Sequence, residues 1–229
     1  MNHKKPIKAI VWDLDGTLIH FKINSLKARK SAINILVSHG IDKKELSVQK
    51  SILDNLNRSK EIFQQHGKGL NQISKILQEV DKEISKIEYE AALNAKMIQG
   101  IEDVLIFAKN KNLKQAIFTF NKYEHAKLSL EKVNLLKFFE IIIGRDNVSN
   151  PKPHPDHLLV ICKNLGIKPN EILVIGDNYR DIEAAINVGA YSIAVHTKLA
   201  VIETLQKADK IIKEKEIPQK LIQEIKEFL

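Results

Sequence analysis

Two carboxylates stand two positions apart in WDLDGTL, residues 12–18, where the run IKAIVW (7–12) ends and Gly16 changes direction. Asp13 and Asp15 thus close a run that reads as a buried strand, where unpaired charge is expensive. A second acidic pair, Asp177 and Asp181, follows the run EILVIG at 171–176. Thr119 and Asn121 lie at the end of QAIFTF (115–120), and Lys152 stands between Pro151 and Pro153, downstream of EIIIG at 140–144. Paired carboxylates serve proton transfer or hard-cation ligation, and a lysine beside them serves to pair an anion. Whether these groups act together depends on the elements that carry them.

The runs at 7–12, 115–120, 140–144, 171–176 and YSIAVH (191–196) are rich in Ile and Val and lack the strict alternation of a half-exposed strand. They are predicted to be buried parallel strands, with ADKII (208–212) as a last one. Helical patterns fall near 101–111, 123–135, 155–165 and 180–189, and the chain closes on IPQKLIQEIKEFL with Pro218 near a helix start. This alternation predicts an α/β fold, a Rossmann-like parallel sheet with helices on both faces. Ligands of such sheets bind at the carboxyl ends of the strands, which is where the polar groups above are placed.

The interval from about His20 to Met97 holds no convincing strand. Ile73, Ile76, Leu77, Val80, Ile84 and Ile87 share one helical face, and Ile33, Leu36 and Val37 mark another. A crossover of that length far exceeds what a βαβ connection needs. The expected organisation is a core domain of residues 1–19 and 98–229 with a small all-helical domain over 20–97.

Composition sets the outer limits. A chain of 229 residues with 44% hydrophobic content buries a sizeable core, which argues against disorder. Cys162 has no cysteine partner for a disulfide or a zinc knuckle and reads as a small apolar residue on a helix. MNHKKPIK carries no signal-type apolar core, and no apolar stretch reaches the ~18 residues that span a bilayer, so a soluble cytoplasmic protein is expected. The net charge of +8 comes from 36 basic residues spread along the chain, with few aromatics among them. Solvated lysine faces, rather than a nucleic-acid or membrane partner, are the expectation. His154 and His157 in KPHPDH read as solvated at a helix start, Gly67 and Gly69 as a turn between helices, and His20 as either facing the site or marking a hinge.

DLDGT at 13–17, the strand-terminal Thr119, Lys152 in NPKP and GDNYRD at 176–181 occur in the order of four motifs, and in them the chain resembles the haloacid dehalogenase superfamily of phosphohydrolases. The helical interval 20–97 sits where that family's class I cap domain sits. The resemblance implies a phosphoric monoester hydrolase in which Asp13 is the nucleophile, forming an aspartyl-phosphate, and Asp15 is the general acid and base. It implies that Thr119 holds a phosphoryl oxygen and that Lys152 pairs with both the phosphoryl group and Asp13. Mg²⁺ would be held by Asp13, Asp15 through its backbone carbonyl, and Asp177, with Asp181 ligating through water or holding the other ligands in place. Like charges about 4 Å apart cost about 4 kcal/mol at an effective dielectric near 20, so several carboxylates facing a phosphate need more than Lys152 to offset them.

The chain departs from the family pattern at Phe120, where an Asn that helps position the substrate is frequent; Asn121, with Thr119 and Lys152 a candidate phosphate- or substrate-binding residue, either replaces that contact or the contact is absent. The leading expectation is a Mg²⁺-dependent phosphatase for a small phosphorylated metabolite, similar to phosphoglycolate phosphatase, acting as a monomer or homodimer. The alternatives are a β-phosphoglucomutase-like phosphomutase and a non-catalytic binding protein on the same fold. Asp15 argues against a dehalogenase, whose chemistry needs no acid there. Lys27, Arg29, Lys30, Arg58 and Lys60 are the candidate leaving-group contacts in the helical interval.

Overall fold

The computed structural model describes residues 5–20, 23–198 and 200–229. In chain order its elements are β1 Ala9–Trp12, β2 Ile19–His20, α1 Ser25–Ser38, α2 Ile52–Gln65, α3 Leu70–Leu93, β3 Lys96–Met97, α4 Ile101–Asn110, β4 Lys114–Phe118, α5 Tyr123–Lys132, β5 Ile141–Ile143, α6 Asp156–Leu165, β6 Ile172–Gly176, α7 Tyr179–Val188, β7 Tyr191–His196, β8 Lys210–Lys213 and α8 Gln219–Lys226. The chain divides into two compact units, Met1–Phe21 with Ala92–Leu229, and Lys22–Ala91.

In the first unit six strands form one sheet in the order β5-β4-β1-β6-β7-β8, every neighbouring pair parallel. Successive strand residues point to opposite faces. Ile10 and Trp12 therefore pack with Val104 and Leu105 of α4, Leu130 of α5 and Leu221 of α8, whereas Ala9 and Val11 pack with Leu158 and Ile161 of α6 and Ala185 of α7. Both faces are covered, which is why these strands read as continuous apolar runs. Trp12 meets its one polar need inside the core, its Nε1–H donating to Gln115 Oε1 at 3.2 Å.

Apart from β7, the strands are shorter than the apolar runs. β4 stops at Phe118, so Thr119 and Phe120 already belong to the loop, although Thr119 N–H still donates to Ile143 O at 3.1 Å. The final strand forms at Lys210–Lys213, and Pro218 caps the last helix. One expectation is corrected: the interval 20–97 is not free of strand. Ile19 and His20 pair antiparallel with Met97 and Lys96. A ladder two residues long carries no period that a sequence pattern can reveal.

The second unit is helical and has its own core. Ile33 and Leu36 of α1, Ile62 and Phe63 of α2, and Ile73, Ile76, Val80 and Ile84 of α3 bury one another at the 3–4 residue spacing of helix faces. Ser51 and Asp54 form a capping box at the start of α2. Gly67 and Gly69 lie in the turn between α2 and α3. Three of the five cations proposed to reach a ligand are engaged within this unit: Lys27 with Glu90 at 3.2 Å, Arg58 with Glu45 at 2.6 Å, and Arg29 Nη1 with Val48 O at 3.1 Å. Lys30 and Lys60 are exposed. Among the described residues no helix is long and apolar enough to cross a membrane.

Candidate active site

β1 and β6 are neighbours in register, so the residues that follow them, Asp13 and Asp177, emerge side by side. β4, on the other side of β1, delivers Thr119 and Asn121 to the same edge. Asp13 extends the ladder through its N–H, which donates to Ile175 O at 2.8 Å. Gly16 then turns at φ +83°, and a Cβ there would lie 2.2 Å from Asp177 Oδ2. Glycine is required at this position on both counts. Gly176 is crowded as well, since its Cβ would lie 2.3 Å from Asp181 Oδ2. Two glycines thus let the turn after β1 and the first turn of α7 close on one point.

Lys152 arrives from the loop after β5 and is almost wholly buried, with 3% exposure. Its Nζ contacts Asp13 Oδ1 at 2.5 Å, Asp181 Oδ1 at 2.6 Å and Phe118 O at 3.2 Å, and it lies 4.2 Å from the centroid of the Phe118 ring. Asp181 also accepts from Asn178 N–H at 2.9 Å, closing the cap of α7. Asp177 accepts from Thr197 Oγ1–H at 3.4 Å. Asp15 stands apart: its Oδ2 accepts from Asn121 Nδ2–H at 2.9 Å, while its buried Oδ1 has no hydrogen-bond partner among the described residues. Thr119 is buried, its Oγ1 accepting from Asn121 N–H at 3.1 Å.

Four carboxylates thus lie near one ammonium, which contacts two of them, Asp13 and Asp181. Burial raises the Asp13 carboxyl to about 6, Lys152 drawing it down and Asp181 pushing it up. Burial, then Asp13, raises Asp15 well above the usual carboxylate range. Asp177 is pushed up to about 8 by burial and by Asp13 and Asp181. Burial acts to lower Lys152, but Asp13 and Asp181 hold it above the ordinary lysine value. Oxygens of Asp13, Asp177 and Asp181 lie within 4.8 Å of one another. A cluster of carboxylate oxygens at this spacing fits a hard divalent cation, which takes oxygen ligands and relieves the repulsion among them. The Asp15 side chain is not in this group, leaving its backbone carbonyl for the ligating role that the resemblance implies.

His157 corrects the sequence reading. It is fully buried, not solvated. Lys152 N–H donates to its Nδ1 at 3.3 Å, its Nε2 lies 2.9 Å from Ile143 O, and its ring meets Phe118 edge-on at 5.7 Å. Burial drops its pKa to about 4, so the ring is neutral with Nε2 as the donor. The signal was present in the helical period, because His157 shares a face with Leu158, Ile161 and Cys162. His154, by contrast, is exposed beside Asp156. His20 lies in β2 and faces Glu214 at 3.6 Å. Phe120 is over one-third exposed, and Arg145 Nη1 donates to its carbonyl at 2.6 Å.

Residues 10–195 match the family of haloacid dehalogenase-like hydrolases, and the chain belongs to that family. It is 29% identical over 205 residues to a Clostridium perfringens protein provisionally named pyrophosphatase PpaX, covering 87% of this chain and 88% of that one. It is 35% identical over 95 residues to phosphoglycolate phosphatase of Escherichia coli, a match that takes in 42% of this chain and 38% of the relative. Among solved structures, β-phosphoglucomutase of Clostridium difficile aligns with a TM-score of 0.69 at 23% identity, covering 96% of each chain, a likeness of fold.

Proposed function

We propose that the protein is a Mg²⁺-dependent phosphatase that hydrolyses a small phosphorylated metabolite through an aspartyl-phosphate on Asp13. The observation that carries this reading is the contact of Asp13 with buried Lys152 inside a cluster of three carboxylates whose oxygens converge. Asp13, Asp177 and Asp181, with the carbonyl of Asp15, would hold the cation. When bound, it supplies positive charge for the phosphoryl oxygens and keeps the carboxylates ionised.

The chain's own groups account for the rest. An Asp13 carboxylate oxygen bonds to phosphorus as the bond to the leaving oxygen breaks, and Asp15 gives its proton to that oxygen. Its raised pKa favours the protonated form this step requires. Asp15, now a carboxylate, takes a proton from water as the water oxygen bonds to phosphorus and the bond to Asp13 breaks, releasing phosphate. Thr119 and Lys152 hold phosphoryl oxygens in line. Asn121 orients Asp15, the contact that Phe120 leaves open. The helical interval 20–97 is proposed as the cap domain that selects the leaving group.

A phosphomutase uses the same four motifs and differs in whether water reaches the aspartyl-phosphate. Phosphate release from p-nitrophenyl phosphate, phosphoglycolate, pyrophosphate and β-glucose 1-phosphate with Mg²⁺ is the direct test, and isomerisation of the last without phosphate release would favour the mutase. Asp13→Asn should stay folded and lose at least about 10³-fold in turnover. Normal activity in that variant, or full activity after chelation, would remove the basis for the proposal.

A further inference from the structure

Beside the carboxylates, in the same unit, lies a cavity of about 550 Å³, within the range that holds a small ligand. Its charged lining is mostly basic, Lys198, Lys213 and Lys215 against the single acid Glu214, with His20 and His196 beside them as further hydrogen-bonding groups. His196 ends β7, Lys213 ends β8, and the two are partners in register, so the pleat sends both side chains to the same face of the sheet. Glu214 is turned to His20, at 3.6 Å. Lys198, Lys213 and Lys215 have no acidic partner among the described residues, whereas Lys210 in the same strand pairs with Glu224 at 3.2 Å and Glu227 at 2.6 Å. Thr197, which bonds Asp177, lines the cavity as well.

Cations gathered around one concavity repel one another, and an anion seated among them removes that repulsion. We propose that this cavity is a functional binding site for a small phosphate-class anion, separate from the phosphoryl position at Asp13. The anion is either a remote group of the substrate or an independent effector; the chemistry of recognition is the same. Binding at this site stands without the hydrolytic reading, because it uses none of the residues assigned to that reaction; only the role of the bound anion rests on that reading.

The metal-free protein offers a clean test, since without a cation the carboxylate cluster repels anions. After chelation and removal of chelator, calorimetric titration with methylene bisphosphonate should show one saturable site. Lys213→Gln combined with His196→Gln should weaken it at least tenfold, and Lys198→Gln combined with Lys215→Gln, at exposed positions that leave the fold untouched, should weaken it as well; Asp177→Asn should not. Absence of saturable binding, or affinity unchanged in both double variants, overturns the proposal. The source is separated by Mg²⁺-supported hydrolysis of p-nitrophenyl phosphate. A bisphosphonate-induced rise in KM alone that vanishes in the Lys213/His196 variant identifies a substrate group, and a change in kcat that vanishes there identifies an effector. If neither constant moves with the cavity filled, the functional role is overturned.

Discussion

Asp15 is set apart from the other three acids by its partner. Asp13 and Asp181 face an ammonium and Asp177 a hydroxyl, whereas Asp15 is held by an amide that can donate to it but cannot neutralise it. A buried carboxyl so placed keeps its proton to higher pH, as a general acid must. Asp15→Ala should therefore cost about 10²- to 10⁴-fold in kcat with an alkyl phosphate, whose leaving oxygen needs the proton. It should cost much less with p-nitrophenyl phosphate, whose leaving group departs as an anion. Equal losses across a series of leaving-group pKa values would contradict the assignment. The residue types and the Asp-x-Asp spacing were legible in the sequence; the amide that separates the two roles was not, because Asn121 and Asp15 are 106 positions apart.

At the scale of elements, the loop between β5 and α6 places the lysine. Pro151 and Pro153 stiffen it, but the anchor is His157 in the first turn of α6, which binds the backbone of Lys152 and the end of β5 together. His157→Phe keeps the volume against Phe118 and removes both hydrogen bonds. A roughly tenfold or greater fall in kcat is expected, as for other residues that orient a reacting group through its backbone. His157→Asn, which restores one polar contact, should recover part of it. A loss confined to thermal stability, with kcat intact, would make the histidine a packing residue only. The ends of β1, β6 and β7 coincide with the ends of their apolar runs, but the chain leaves β5 one residue and β4 two residues earlier than hydrophobicity suggests. Thr119 and Phe120 extend an apolar pattern while already obeying the geometry of the site.

For the whole molecule, the carboxylate cluster links stability to pH and metal. Asp13 and Asp177 have folded pKa values of about 6 and about 8, above the ordinary 3.8. Acids shifted upward favour the folded state while protonated, so their contribution is complete below 3.8 and is lost as pH rises through the folded values. His157 runs the other way: its value of about 4 lies below the ordinary 6.5, so its contribution is complete above 6.5 and is lost as pH falls. Between about pH 6.5 and 8.5 the carboxylates alone decide the trend. The Tm of the chelated protein should fall across that window, and Mg²⁺ should raise Tm more at its upper end. A flat Tm, or an increment independent of pH, would contradict the cluster as drawn.

Sequence by itself determined the parallel sheet with helices on both faces and the residue types that follow its strands. Those follow from local period and residue type, which short windows of chain contain. Tertiary structure alone decided that Lys152 bridges Asp13 and Asp181, that Asp15 turns to Asn121, that His157 binds the end of β5, and that unpaired lysines collect around His196. Each of these depends on strands far apart in sequence becoming neighbours in register. The energy of a buried charge is set by what surrounds it within a few ångströms in space, and no window of the chain carries that information.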